Sequence, residues 1–96
     1  MKMLTAKNKK DLPELYATEE QGAEAMAVVK FFCPWNSWTW YAVEFDGEDR
    51  FFGLVDGQFK ELGYFLLSEL MSVKGPGGLR IERDLYFRPT KIKDLQ

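Results

Sequence analysis

The stretch WTWYAVEFDGEDRFFGLVDG, from Trp38 to Gly57, decides the fold because it joins two β-strand patterns through a turn. Six of its twenty residues are aromatic, and it contains two Asp-Gly pairs, a dipeptide typical of hairpin turns. Successive side chains of a strand point to opposite faces of a sheet, and bulky apolar groups occupy both phases here. The stretch therefore predicts a β-hairpin that carries apolar groups on both faces.

The register of this hairpin depends on the length of its first turn, which begins at Asp46. Strict alternation predicts one face of the first strand with Trp38, Trp40, Ala42 and Glu44. It predicts the opposite face with Tyr41, Val43 and Phe45. A loop with an even number of residues places Phe52 on the face of Tyr41 and Phe51 on the face of Trp40, whereas an odd loop exchanges these partners.

The flanking segments predict further strands and short helices. Residues 1–15 allow a short helix that Pro13 starts or stops, and a first strand is expected over residues 25–32. The second Asp-Gly pair predicts a two-residue turn into a strand over residues 59–65. Ser68 is expected to cap a two-turn helix that ends at the glycine-rich stretch 75–78, followed by an extended tail with a bend near residues 83–84.

These elements predict a single α+β domain over residues 1–96. Its centre is a twisted antiparallel meander of four to five strands, with one or two short helices beside it. Residues 1–6 and 91–96 are expected to be frayed because they are polar and terminal.

Composition bounds the compartment and the class of partner. The chain has 13 basic and 15 acidic residues and a net charge of -2, so bulk charge does not favour nucleic acid. No apolar stretch approaches the roughly 20 residues that cross a bilayer, and the first ten residues lack the apolar run of a secretory signal. The lone Cys33 has no partner for an internal disulfide. We therefore expect a soluble cytoplasmic protein without membrane contact.

The residue inventory argues against enzymatic chemistry. The chain contains no histidine, which removes the commonest general base and the commonest imidazole metal ligand. Cys33 lies in the apolar sequence Phe31-Phe32-Cys33-Pro34, and apolar surroundings raise the pKa of a thiol. No catalytic or cofactor-binding motif is present, so we expect a non-catalytic protein without a cofactor and a structural Cys33.

The tryptophans suggest a binding surface. Trp35, Trp38 and Trp40 together with Phe51 would present several hundred Å² if uncovered, since each large ring contributes about 150–250 Å². One interpretation is that they form the core of a sheet packed on both faces. The other is that they bind a protein partner, or a second copy of the chain, with the acidic hairpin end as a polar rim. The second interpretation makes the protein a non-catalytic binding module.

Two functions from other classes remain as alternatives. Glu44, Asp46 and Asp49 could hold a divalent metal in a small hydrolase, although the Asp-Gly-Glu-Asp sequence is sufficiently explained by turn formation. Arg80 and Arg83 lie near aromatic residues and could, with the tryptophans, stack on single-stranded nucleic acid. A surface of salt bridges accounts equally well for this arginine-rich segment.

Four blocks of the sequence carry a resemblance to a known family: LPELYATE from Leu12, KFFCPWNSWTWYAVEFDGEDRFFGLVDG from Lys30, ELGYFLLSEL from Glu61 and GLRIERDLYFRP from Gly78. In these blocks the sequence resembles the bacterial family DUF2958, and the likeness covers nearly the whole chain. The resemblance implies a small stand-alone protein, often encoded on plasmids and other mobile elements. It implies no established activity and no agreed catalytic residues.

Overall fold

The computed structural model describes residues 2–96 and contains a five-stranded antiparallel sheet with short helices beside it. The strands are β1 (Met26–Ala27), β2 (Val29–Phe32), β3 (Thr39–Phe45), β4 (Arg50–Asp56), β5 (Lys60–Leu66), β6 (Glu82–Arg83) and β7 (Thr90–Lys91). The α-helices are α1 (Ala6–Asp11) and α2 (Leu67–Ser72). The order in the large sheet is β5-β4-β3-β2-β6, and β1 pairs with β7 in a separate ladder. The predicted α+β class and antiparallel meander are confirmed.

The central hairpin contains a β-bulge at Val43. Ala42 pairs with Gly53, but Glu44 pairs with Phe52, so Val43 is an extra residue on β3. Near the turn the register is that of an odd loop, since the Asp46 amide donates to the Arg50 carbonyl across three intervening residues. Beyond the bulge the register is that of an even loop. Both registers left open by the sequence therefore occur, one on each side of Val43.

The bulge changes which face Glu44 and Phe45 occupy. We call the side that carries Phe31, Phe51 and Phe65 the first face, and the side that carries Tyr41 and Leu54 the second face. Strict alternation placed Glu44 with Trp40, on the first face. That prediction is wrong: Glu44 pairs with Phe52 on the second face, and Phe45 joins the first. The extra residue shifts the two-residue period by one, which reverses every later position of the strand.

The first face is the larger hydrophobic core. The ring of Phe51 lies 4.5 Å from that of Phe45, 5.2 Å from that of Phe65 and 5.6 Å from that of Phe31, measured between centroids. The residues that cover these rings come from the segments around α1, from α2 and from the stretch before β6: Leu4, Leu12, Leu70 and Ile81. The second face is covered over part of its area by a smaller cluster, Ala25, Ala27, Val43 and Ile92.

The two α-helices begin in different ways. Helix α1 begins with a capping box between Thr5 and Asn8 and ends at Asp11, two residues before Pro13, as expected. The predicted helix α2 is present, but the prediction of its cap is wrong, because Ser68 is inside the helix. Its amide and hydroxyl donate to the Asp49 carboxylate at 2.7 and 2.6 Å, so a side chain from the β3–β4 loop caps the helix.

Three other boundaries differ from the predictions. The predicted strand 25–32 is divided, because β1 pairs with β7 while β2 pairs with β3. The second hairpin turn has three residues between the paired Asp56 and Lys60, one more than expected. The ends are packed rather than frayed: Leu4 is buried, and Ile92 is buried while its amide donates to the Ala25 carbonyl at 2.9 Å. Residue 1 lies outside the described residues.

Candidate binding site at the sheet edge

The predicted aromatic surface is divided among three environments. Phe51 is fully buried inside the first-face core, so it belongs to no exposed surface. Trp40 is half-buried and packs against the same core. Trp35 is also half-buried, and its ring lies against Gly75, where a Cβ atom would overlap it. The interpretation as a packed core thus describes most of this group.

Trp38 reaches the surface with 39% of its area exposed. Its ring lies 6.0 Å from that of Trp40 between centroids and covers Gly57, where any side chain would overlap the indole. Phe59, in the neighbouring turn, is 74% exposed. Trp38 and Phe59 together line a hollow of 280 Å³ beside β5.

The predicted basic residues hold chain segments together. The Arg80 guanidinium donates to the carbonyl of Met71, in the last turn of α2, at 2.6 Å. The Arg83 guanidinium donates to the carbonyl of Lys2 at 3.2 Å. These contacts engage both side chains in backbone hydrogen bonds.

The three candidate metal-ligating carboxylates point to different partners. Asp46 accepts from the amides of Glu48, Asp49 and Arg50 at 2.8 to 3.0 Å, and the first two of these bonds chiefly lower the pKa of its carboxyl. Asp49 caps α2 and Glu44 lies on the second face. No group of three His, Cys, Asp or Glu side chains arranged to hold a metal occurs within residues 2–96.

Cys33 is a buried free thiol. Burial raises the pKa of Cys33, and a weaker opposing effect comes from a hydrogen bond with the Asn36 side chain. A thiol that is buried and held in its neutral form is a poor nucleophile. This environment agrees with the structural role expected for Cys33.

The edge strand β5 presents an open line of backbone groups. The Gly57 amide donates to the Phe59 carbonyl at 3.1 Å and the Leu67 amide to the Asp49 carbonyl at 2.8 Å, so odd-numbered positions bond toward β4. Antiparallel backbone groups alternate in direction, so the even positions point away from β4: Lys60, Leu62, Tyr64 and Leu66. Within residues 2–96 no strand pairs with this side of β5.

A pocket of 260 Å³ opens on the second face next to this edge. Its walls come from β3, β4 and β5, from the loop before the 3-10 segment Glu19–Glu24, and from that segment itself. The lining is mainly apolar or aromatic and includes Tyr16, Ala25, Phe52, Leu62, Tyr64 and Ile92. Glu44 and Glu19 supply its carboxylates.

Glu44 is 3% exposed and holds the loop that forms one wall of the pocket. Its Oε1 atom accepts from the Tyr16 amide at 2.8 Å, and its Oε2 atom accepts from the Thr18 amide at 2.9 Å and from the Thr18 hydroxyl. It forms no salt bridge with any Lys or Arg of the described chain. Its charge is therefore offset by hydrogen bonds alone.

Tyr16 and Tyr64 stand at the opening of the pocket. Tyr16 is 61% exposed and has a backbone φ of 71°, a left-handed conformation that is uncommon for a tyrosine. The pKa of Tyr64 is raised, chiefly by its hydrogen bond with Tyr16 and further by burial and by the carboxylates of Glu44 and Glu19. Tyr16, Tyr64, Glu19 and Glu44 thus line the same pocket.

The sequence contained one usable signal for this site. Glu44 interrupts an otherwise apolar strand, and a charged residue among buried neighbours is unusual unless it has partners or a function. Tyr16 and Thr18 lie in a segment without periodicity, so their contact with a strand more than twenty residues away had no local signal. Leu62 and Tyr64 became identifiable once the strand order placed β5 at the edge.

No helix in residues 2–96 has the length and apolar character required to span a membrane. Neither the curated proteins nor the solved structures include a significant match to this chain. The family described as "Protein of unknown function (DUF2958)" matches residues 3–93 of the 96-residue chain. The chain therefore belongs to the DUF2958 family.

Proposed function

We propose that this protein is a non-catalytic binding module that pairs an extended segment of a partner protein with the open edge of β5. The carrying observation is a seven-residue edge strand on which Leu62 and Tyr64 are half-exposed and direct their backbone groups away from the sheet. Addition of a strand to an exposed edge is a recurring mode of peptide recognition.

From Leu62 to Leu66 the edge lacks the devices that usually prevent strand pairing. Natural proteins protect edge strands with charged residues, proline, bulges or a covering segment. The sequence from Leu62 to Leu66 is LGYFL, with neither a charge nor a proline, and the charges of Lys60 and Glu61 stand at one end. An uncovered apolar edge of this kind favours association with another chain.

Both sides of the edge offer space for alternate side chains of an added strand. One set would project over the second face, toward the 260 Å³ pocket beside Leu62 and Tyr64. The other set would project toward the 280 Å³ hollow lined by Trp38, Phe59 and Gly63. Backbone pairing supplies affinity and the two hollows supply specificity. Trp38 thus keeps the binding role proposed from the sequence, as part of the wall of the hollow beside β5.

The gains in free energy from strand addition can be compared with its costs. Each new backbone hydrogen bond contributes about 0.5–1.5 kcal/mol net, and full burial of a side chain such as Leu62 contributes about 1.5–3 kcal/mol. Against these gains stand the entropy of association and the ordering of the added strand. We expect the gains to exceed these costs for a segment that pairs along the whole of β5 and fills one hollow.

The alternative functions have less support. A metal-dependent hydrolase would use Glu44, Asp46 and Asp49, whose carboxylates are engaged with separate partners. A nucleic-acid binder would use Arg80 and Arg83, whose guanidinium groups bond to backbone carbonyls. We place the binding module in the bacterial cytoplasm, where Cys33 stays reduced. The association with mobile elements that the family resemblance implies suits a protein that engages a partner in its host cell.

Peptide selection combined with NMR tests this function. Short random peptides would be selected for binding to the whole protein, and protection of backbone amides from exchange would then be mapped. We expect protection of the Leu62 and Tyr64 amides. Leu62→Pro should abolish binding because it removes an outward donor while leaving the bonds to β4 intact. Binders that protect neither amide, or that bind folded Leu62→Pro protein equally well, would refute strand addition.

A matched substitution at the preceding residue controls for folding. Glu61 directs its amide toward β4, so Glu61→Pro should break the native ladder and destabilise the sheet. Leu62→Pro should leave the thermal unfolding temperature much closer to that of the wild type. The pair separates loss of binding from loss of structure.

A further inference from the structure

The pocket beside β5 contains a negative charge that the protein does not balance. Glu44 is almost completely buried and has no Lys or Arg partner within residues 2–96. Glu19 adds a second carboxylate to the lining, and no basic residue contributes to it. Burying a carboxylate without a cation is costly even when hydrogen bonds offset part of the penalty. A cation brought by a ligand would complete this site.

The remaining walls suit an organic cation. The rings of Tyr16, Phe52 and Tyr64 line the pocket, and aromatic faces attract ammonium and guanidinium groups. Tyr64 already has this property within the protein, because the Arg50 guanidinium lies 5.9 Å from its ring centroid. Arg50 forms no salt bridge with Glu44 or Glu19, so neither carboxylate is paired with a Lys or Arg within residues 2–96.

The hydrogen bonds of Glu44 discriminate between the two basic side chains. A carboxylate offers about four lone-pair sites, and three are used by Tyr16 and Thr18. Both sites of Oε2 are filled, so one site remains, on Oε1. A guanidinium forms its strongest carboxylate contact with both oxygens at once, whereas an ammonium donates to a single oxygen. The free site therefore matches an ammonium group.

We propose that this pocket binds the ammonium group of a lysine on the strand that pairs with β5, held by Glu44 and the rings of Tyr16, Phe52 and Tyr64. This inference rests on the proposed strand addition, which supplies the geometry. A residue opposite Leu62 or Tyr64 projects over the second face. Its aliphatic stem packs along Leu62 while the charged end enters the pocket.

Small amines test the pocket independently of strand pairing. Whole protein would be titrated with n-butylammonium, n-butylguanidinium and 1-pentanol, and NMR shifts of the Tyr16 amide and the Tyr64 ring would be followed. We expect saturable shifts with n-butylammonium, weaker binding of n-butylguanidinium, and no saturation with 1-pentanol. Equal response to the alcohol and the amine, or tighter binding of the guanidinium, would overturn the assignment.

Substitutions identify the groups responsible. Glu44→Gln should weaken n-butylammonium binding by about tenfold or more, since it removes the charge. Because that change also disturbs the loop at Thr18, Tyr64→Leu provides a second test, with an expected loss of about two- to fivefold. Tyr64→Phe keeps a ring and should retain most of the binding. Glu48→Gln changes an exposed carboxylate in the β3–β4 loop, outside the pocket lining, and should have no effect. Unchanged binding in both Glu44→Gln and Tyr64→Leu refutes the pocket.

Selected peptides distinguish failure of the pocket from failure of strand addition. Peptides that bind at β5 should carry a lysine at one fixed position, and replacement of that lysine by norleucine should weaken binding at least about tenfold. If the norleucine peptide binds equally and still protects the Leu62 amide, strand addition stands and the lysine pocket is wrong. If n-butylammonium binds but no peptide protects the Leu62 amide, strand addition is wrong and the source of the ammonium is not a paired strand.

Discussion

The two faces of the central sheet differ in how completely they are buried. The first face buries Phe31, Phe51 and Phe65 under α2 and the segments that flank α1, and no charged residue of the described chain is buried there. The second face buries Val43 and Ile92 over part of its area and then opens into a pocket around Glu44. The comparison indicates that the first face maintains the fold, whereas the second face combines a small core with a site that a ligand can enter.

The largest expected effect is a difference in unfolding free energy between substitutions at Phe51 and Phe52, which are neighbours in the chain but lie on opposite faces of the sheet. Phe51→Ala removes a ring packed against three others, and should lower the free energy of unfolding by about 3–5 kcal/mol. Phe52→Ala acts on a half-buried pocket wall and should cost less than half as much. Urea unfolding of both variants measures the difference. Equal losses would contradict the division into a packed face and an open one.

A smaller effect is expected from Glu44 itself. Glu44→Ala leaves the amides of Tyr16 and Thr18 without their acceptor and should cost about 1–3 kcal/mol of unfolding free energy. Hydrogen exchange should show both amides losing protection before the β4 amides do. Glu61→Ala, an exposed carboxylate on the edge strand, is the control and should change stability by less than about 0.5 kcal/mol. Unchanged protection of Thr18 would show that Glu44 does not hold the loop.

The cover of the first face depends on a cap from the β3–β4 loop. Asp49→Ala removes the acceptor for the Ser68 amide and hydroxyl and should destabilise the protein by about 0.5–2 kcal/mol. Ser68→Ala removes only the hydroxyl donor and should cost less. Circular dichroism during thermal unfolding compares the two variants with the adjacent control Glu48→Ala. A larger loss for Ser68→Ala than for Asp49→Ala would restore Ser68 as the principal cap.

The smallest expected effect concerns the cover of the second face and depends on pH. Glu24 contacts Lys91 and Lys93 at 2.8 and 3.0 Å, and the Lys91 contact is the main reason that the pKa of Glu24 is lowered from 4.5. A carboxyl with a lowered folded-state pKa stabilises the protein above its unfolded pKa, and that contribution is lost as pH falls through the folded value. Below pH 4.5 the protection factor of the Ile92 amide, which is corrected for the intrinsic pH dependence of exchange, should therefore fall.

Glu24→Gln tests whether the acid response of the Ile92 amide originates from Glu24. The variant should show faster exchange of Ile92 already at neutral pH and a weaker change on acidification than the wild type. Because Glu24 is exposed, the difference is expected to be small. An acid response of Ile92 identical in both proteins would assign it to other carboxylates.

Local sequence patterns predicted the strands and missed the bulge. Alternation located β3, β4 and β5, and the glycine and proline residues located most of their ends. Val43 is an ordinary strand residue in an ordinary strand sequence, so nothing local marks it as unpaired. The bulge at Val43 reconciles two registers: the odd-loop register near the turn and the even-loop register that puts Phe51 on the face of Trp40. The conflict between these registers exists only when both strands are paired.

At the candidate site, local sequence patterns predicted even less of the structure. The sequence left open whether Trp38 lies in a packed core or on a binding surface, and in the structure it is exposed. Phe51 was considered with it and is in the core, because α2 and the segments that flank α1 cover the first face. Tyr16 and Tyr64 meet through a strand order and a loop path that involve residues far apart in the chain. Residue type therefore predicted which groups are apolar, but not which of them the chain covers.

The sequence by itself determined the α+β class, the antiparallel meander, the single domain and the scarcity of catalytic residue types. These properties depend on periodicity, turn residues and composition, which are local or global averages of the chain. Only the tertiary structure decided that Glu44 faces the second side, that β5 is an open edge and that a pocket lies between them. The reason is that a one-residue shift in pairing exchanges the two faces of a strand, and pairing is set by the burial of the whole sheet.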